Sequence, residues 1–220
     1  MDITITIGEW VLLPTIVNSL IVVGVLMLFF VVCGVAVKMA DPTKSSSGLV
    51  LFMEIVYTSL LDFAKGSMGD GASKYFSFLL TMVSYLLVAN LLGLTGLMPP
   101  TSDYSVTLAL TIITLVYIMI AGVKSKGVLR YLKDTYLGDM PFLLPLNVIG
   151  EFSKIISLSF RLFGNIMSGA LILSIVTSLL GWISAPFLPI LNAYFDIFAG
   201  GMQTMIFAML TMMWLKNATE

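Results

Sequence analysis

The chain has 220 residues, of which 59% are hydrophobic and 10% charged, with a mean hydropathy of +1.05 and a formal charge of −1. A soluble domain carries about 25% charged residues, so this is the composition of an integral membrane protein, and the near-neutral balance offers no electrostatic basis for binding nucleic acid. Histidine is absent, which excludes histidine metal ligands and histidine general bases and leaves carboxylates, tyrosines and water to carry protons.

Five long apolar segments follow one another, at about residues 10–37, 75–98, 104–123, 141–180 and 186–215. Each is long enough to cross a bilayer as a helix, whereas a barrel would show short alternating segments. The expected fold is an all-α membrane protein with five membrane-spanning segments in a single integral membrane domain. Residues 1–10 carry no Lys or Arg, so they lack the positive n-region of a signal peptide, and 10–37 reads as a retained first span. The single cysteine, Cys33, lies inside it and reads as a small core residue.

Residues 38–74 are mixed and read as a cytoplasmic loop followed by an interfacial helix. The serine-rich stretch at 45–48 is a loop. Residues 49–63 are apolar on one side, with Glu54 and Asp62 among them, and form either that interfacial helix or an extension of the second span. Glu54, Asp62 and Asp70 read as solvated or interfacial. Asn90 is polar in mid-span and reads as interhelical packing. Residues 98–101 (MPPT) make a tight turn between spans two and three, which together occupy 75–123. Asp103, next to Thr101 and Ser102, reads as the N-cap of span three.

Charge sets the orientation. Lys38, Lys44, Lys65 and Lys74 fall in the first long loop, Lys124, Lys126, Arg130 and Lys133 in the loop after span three, and Lys216 at the C-terminus. The N-terminus and the turns at 99–103 and 181–189 have no basic residue. The positive-inside rule then places the N-terminus outside and the C-terminus in the cytoplasm.

The fourth segment is too long for a simple crossing. Forty helical residues measure about 60 Å, twice the hydrocarbon thickness. Pro141 and Pro145 shorten its start, and Gly150 is a point for a kink. Even 148–180 is about 50 Å long and must tilt steeply or run partly along the membrane plane. The fifth segment returns antiparallel after 181–186, so 141–215 reads as a long, strongly tilted C-terminal helical hairpin.

That hairpin carries the polar residues of interest. Ser153, Ser157, Arg161, Asn165 and Ser168 are spaced 4, 4, 4 and 3, one face of a helix, with Glu151 and Lys154 flanking its cytoplasmic end. On the return segment Asn192, Asp196, Gly200 and Gln203 are spaced 4, 4 and 3. Antiparallel pairing sets Gln203 at about the depth of Arg161, with Asp196 toward the outside and Glu151 toward the cytoplasm. Arg161 stands about 28 Å along the helix from both Leu143 and Leu180, too far to snorkel. Holding an arginine at that depth costs from about 2.5 to above 10 kcal/mol by different methods, and an arginine does not escape by deprotonating.

Structural readings exist for each residue. Serines on membrane helices bond back to the chain or to a neighbour, Asn165 and Gln203 suit interhelical hydrogen bonds, Lys154 suits the interface, and Arg161 could pair with Asp196. Two features favour function for Arg161. No carboxylate lies within one helical turn of it, and Gly164, Ser168, Gly169 and Ala170 let another helix approach closely.

The motifs resemble subunit a of the rotary F-type ATP synthase membrane sector, in its bacterial form. The likeness rests on 161–165 (RLFGN) within 156–169, on 85–94 (YLLVANLLGL), on 100–110 (PTSDYSVTLAL), on Gln203 with 207–211 downstream, and on 145–152 (PLNVIGEF). It covers about residues 50–218; the first span is generic. The resemblance implies a stator in the bacterial plasma membrane. It would stand beside a ring of c subunits, with a b-subunit peripheral stalk and the rest of the synthase as further partners, and with no cofactor, metal or catalysis of its own.

The resemblance also implies that Arg161 faces the c-ring carboxylates, with Gln203 near it and Asn165 one turn away. Glu151 would line a cytoplasmic half-channel and Asp196 an outer one, with Ser157, Ser168 and Asn192 along the ion pathway. Many members place an acid or histidine where this chain has Ala170, and a titratable partner near the position of Asp196. An outer path resting on Asp196 alone, with amides and water, modestly favours Na⁺ over H⁺ as the coupling ion. The rivals are a self-contained secondary transporter or channel, which predicts inverted repeats that the sequence lacks, and a purely structural subunit, which predicts that Arg161→Ala is tolerated.

Overall fold

The computed structural model describes residues 5–7, 10–39, 48–137, 142 and 144–220. The loop expected around Lys44 and 45–47, and Pro141, lie outside the described residues. Among the described residues five helical stretches are long and apolar enough to cross a membrane: Pro14–Met39, Ala72–Thr95, Tyr104–Lys126, Leu144–Ser184 and Leu188–Thr219. Without water to satisfy backbone groups, such sequences close their hydrogen bonds within each helix, and the all-α expectation holds.

The first helix, α1 (Pro14–Met39), starts later than the hydropathy suggests. Residues Trp10–Leu12 are a strand, β2, paired antiparallel with β1 (Ile5–Ile7), with Ile5 opposite Leu12 and Ile7 opposite Trp10. β-Branched and aromatic residues suit that short hairpin, and Pro14 suits the first position of a helix. Most of α1 is exposed; Val22 and Cys33 are among its few buried apolar residues.

Helix α2 (Gly48–Met68) is separate from the second span, α3 (Ala72–Leu91). The break falls at Gly69, whose φ of +69° lies in the left-handed region that glycine enters without strain. The helix folds back along α3, so that the Tyr57 ring meets Phe76 edge-on at 4.8 Å. Residues 48–68 are therefore not a continuous extension of the second span. A one-turn helix at Leu92–Thr95 and a turn through Pro100–Ser102 lead into α4 (Tyr104–Lys126). Asp103 caps α4 as expected, its Oδ1 accepting from the Ser105 N–H at 2.9 Å.

After Gly127 come the short α5 (Val128–Leu132) and a π-helical turn at Lys133–Leu137. Helix α6 (Leu144–Leu180) is one uninterrupted 37-residue helix, with Pro145 in its first turn and Gly150 inside it. At about 1.5 Å per residue it is roughly 55 Å long. A turn through Gly181–Ser184 leads to α7 (Leu188–Ala193), a π-helical segment at Tyr194–Ala199, and α8 (Gly200–Thr219). Helix α6 leans mainly on α4, and α8 mainly on α4 and α3, so the two long C-terminal helices meet along only part of their lengths.

Two buried clusters hold the bundle. Near the ends of α4 and α8 that carry Lys126 and Lys216, the residues Ala64, Met68, Phe76, Leu115, Met212 and Leu215 pack α2, α3, α4 and α8 together. In mid-bundle, Val22, Tyr85, Leu86, Leu158, Leu162 and Phe207 join α1, α3, α6 and α8. Below, the first end is called the basic end, and the opposite one, with the 96–103 turn, the turn end.

Candidate functional site

Helix α6 has a sharply divided surface. Leu158, Leu162, Ile166 and Gly169 are buried in the bundle. Ser157, Arg161, Asn165 and Ser168 each precede one of them, so they are rotated about 100° away and all four are exposed. Large apolar side chains share the open side, among them Phe152, Ile156, Phe160, Leu171 and Ile175. Among the described residues the ion pairs are Lys126–Asp134, Arg130–Asp134, Lys154–Glu151 and Lys216–Glu220. Arg161 belongs to none of them. Ser168 donates to the Asn165 carbonyl at 3.0 Å, the back-bonding expected of a helix serine.

One turn from Arg161, Asn165 Nδ2 donates to Gln203 Oε1 at 2.5 Å, tying α6 to α8. Gln203 is 1% exposed, and its Nε2 has no partner among the described residues. Gln203 thus lies beside the polar stripe of α6.

Toward the turn end, a cavity of about 830 Å³ opens between α1, α4, α6 and the return segment. Asn165, Asn192 and Asp196 line it. Asp196 sits in the π-helical segment, against Gly93. Its neighbour Phe195 packs on Gly169 of α6, where an added Cβ would stand 3.1 Å from the ring. The walls also include Asp103, held by the cap bond and by the Thr15 hydroxyl, which donates to Oδ2 at 2.9 Å.

Toward the basic end a smaller cavity, about 220 Å³, is lined by Glu151, Lys154, Lys126, Asp134, Tyr131 and Trp214. Lys154 bonds Glu151 and lies 5.7 Å from the centre of the Trp214 ring. Two carboxylates and two ammonium groups balance the charge there. Tyr131, 4% exposed, has its phenol pushed above its ordinary range. Burial is the main cause, the Thr135 hydrogen bond opposes it, and the charges of Glu151 and Tyr136 add to it.

A family model for the ATP synthase A chain matches residues 16–216. The chain belongs to that family. Relatives agree along most of its length. An ATP synthase subunit a 2 of Acaryochloris marina (strain MBIC 11017) is 32% identical over 97% of this chain and 88% of its own. An ATP synthase subunit a of Desulfotalea psychrophila (strain LSv54 / DSM 12343) is 38% identical over 77% of this chain and 71% of its own. One from Priestia megaterium (strain ATCC 12872 / QMB1551) is 35% identical over 78% of each.

In this chain the polar residues group differently from the sequence pattern in two respects. Asn192, Asp196, Gly200 and Gln203 are not one stripe. Asp196 faces Gly93 in the one-turn helix after α3 and Gly200 faces Asn90 of α3, while Gln203 meets α6 at Asn165. The split falls inside α8, where Gly200 and Gln203 are three residues and so about 300° apart, which turns Gln203 about 60° away from the side that meets Asn90. The second difference is the company Asp196 keeps. The turn-end cavity has two carboxylates among its described lining residues, Asp103 and Asp196. Asp103 escaped notice as a wall residue because its cap role accounts for it locally. The available signal was its position, in a turn at the same end of the bundle as Asp196.

Proposed function

We propose that the chain is the stator subunit of a rotary ATP synthase, passing H⁺ or Na⁺ through two offset half-channels to and from the carboxylates of a c ring. The observation that carries this is the setting of Arg161. On α6 it falls between Lys154, the last α6 residue of the basic-end cavity, and Phe163, the first of the turn-end cavity. It is exposed on the unpacked side of the helix, with no counter-charge from the described residues of its own chain. A fixed cation placed so attracts an ionised carboxylate on a passing neighbour and lowers its pKa. The neighbour's ion must leave into one cavity, and its carboxylate reloads from the other. The same charge blocks direct leak between the cavities. One elementary charge crossing 100 mV releases about 2.3 kcal/mol, so several steps per turn can drive ATP formation in a separate catalytic head.

In this scheme Asp196 and Asn192 line the outer half-channel and Glu151 the cytoplasmic one. Asn165 and Gln203 shape the stripe beside Arg161, and Ser157 and Ser168 lie along the face the rotor sweeps. The N-terminus is outside and the C-terminus cytoplasmic, in agreement with the basic end. The b-subunit stalk and the head complete the assembly, in a bacterial plasma membrane. Helix α6, far longer than the hydrocarbon core, spans it with a steep tilt.

The test is Arg161→Ala in the whole complex. Ion-coupled ATP synthesis should be abolished while ATP hydrolysis by the head persists. Normal coupling in that variant would overturn the stator role. Copurification of the native chain with a ring of small two-helix subunits is expected as well, and its absence from an intact preparation would favour the transporter alternative.

A further inference from the structure

We propose that Asp103, besides capping α4, is a second ion-pathway carboxylate, stationed in the wall of the same turn-end cavity as Asp196. The inference rests on the reading of that cavity as a half-channel and names a further residue of it.

The charge of the two cavities supports it. The basic-end cavity is balanced, Lys126 and Lys154 facing Asp134 and Glu151. The turn-end cavity has Asp103 and Asp196 in its wall and no Lys or Arg among its described lining residues. Two formal negative charges in a concave, mostly apolar wall focus potential into it and raise the local cation concentration, by about 10- to 1000-fold in steered systems. Asp103 is also held in place. Oδ1 takes the Ser105 N–H and Oδ2 the Thr15 hydroxyl, each at 2.9 Å, so the carboxylate is fixed between α4 and α1. Beneath it, Asn18 Nδ2 donates to the Met98 carbonyl at 2.9 Å and fastens α1 to the 96–103 turn. A cap alone needs one oxygen and no cavity. Each carboxylate oxygen has more than one lone pair, so both hydrogen bonds leave acceptor capacity for a passing cation or hydronium.

The experiment separates charge from capping. In the assembled complex, reconstituted in vesicles, passive ion flux through the membrane sector is measured for Asp103→Asn, Asp103→Glu and Asp103→Ala beside Asp196→Asn. Asparagine caps a helix as well as aspartate does, so Asp103→Asn keeps the cap and loses the charge, while its NH2 donates to the Thr15 hydroxyl that Oδ2 had accepted from. It should lower flux several-fold, and the deficit should shrink as salt screens the remaining field. Asp103→Glu, which keeps the charge but is not a preferred cap, should stay near the native flux. If Asp103→Asn conducts like the native complex while Asp196→Asn is slow, Asp103 is only a cap and the inference falls, with the half-channel intact. If neither variant slows, the cavity is not the path and both ideas fall. If Asp103→Asn does not assemble, Asp103→Glu decides: flux as poor as in Asp103→Ala would assign the residue to capping alone.

Discussion

Asp196 and Gly93 occupy a space with no room for one more methyl group: a Cβ on Gly93 would stand 2.6 Å from Asp196 Oδ2 and 2.8 Å from Oδ1. Gly93 belongs to the one-turn helix that ends the second span, and Asp196 to the π-helical segment of the last. The carboxylate at the cavity wall therefore keeps its position because residue 93 has no side chain. Gly93→Ala should leave the helices in place, since only the end of a side chain must yield. Moving that carboxylate off its rotamer costs about 0.5–1.5 kcal/mol. The expected result is a complex that assembles normally and shows ion flux reduced by up to about tenfold. Flux equal to the native value would mean that the position of Asp196 does not matter to conduction.

The hydrogen bond between Asn165 and Gln203 makes an asymmetric prediction. Gln203 is buried and its Nε2 already lacks a partner among the described residues, while Asn165 lies on the exposed side of α6. Asn165→Leu strands the buried Gln203 Oε1 as well, and an unsatisfied buried acceptor costs about 1–3 kcal/mol. Gln203→Leu instead removes a buried amide and leaves Asn165 near the surface, so its effect on stability should be small. Thermal inactivation of the solubilised complex should place Asn165→Leu well below both the native chain and Gln203→Leu. The reverse order would show that the Gln203 amide is satisfied through its nitrogen.

The reach of the sequence follows from which forces act locally. Membrane helices must be apolar and must satisfy their own backbones, so hydropathy alone locates the spans; the third was expected to start at residue 104, and α4 begins at Tyr104. The i, i+4 spacing of Ser157, Arg161 and Asn165 likewise sets them on one face before any fold is known. What stayed hidden depends on backbone choices with no side-chain signature or on distant partners. The π-helical turn at Tyr194–Ala199 has no residue pattern that marks i→i+5 bonding, so the sequence reads there as regular helix. The fold-back of α2 hinges on one positive φ at Gly69. Asp103 needed α1, with Thr15, and the return segment, with Asp196, before its second setting emerged.

Gly200 is the counterpart of Gly93, and the same substitution there should have the opposite character. A Cβ on Gly200 would stand 2.9 Å from the Cβ of Asn90, an atom fixed to the α3 backbone that cannot swing aside. Asn90 is also fully buried in a polar network. It donates to the Gly200 carbonyl at 3.1 Å and accepts from Thr101 Oγ1 at 2.9 Å, and Thr204 Oγ1 bonds the same carbonyl at 2.9 Å. Exchanging a helix glycine for alanine contributes about 1 kcal/mol of helix propensity. Forcing α8 off α3 costs about 1–3 kcal/mol for the overpacking, and stretching bonds inside a buried network adds to that. The balance is a net destabilisation on the order of 1–2 kcal/mol. Gly200→Ala should therefore lower the inactivation temperature of the solubilised complex, with flux per assembled complex close to native. A midpoint equal to or above the native one would show that α3 and α8 have slack at this crossing and that the Asn90 network does not set their spacing.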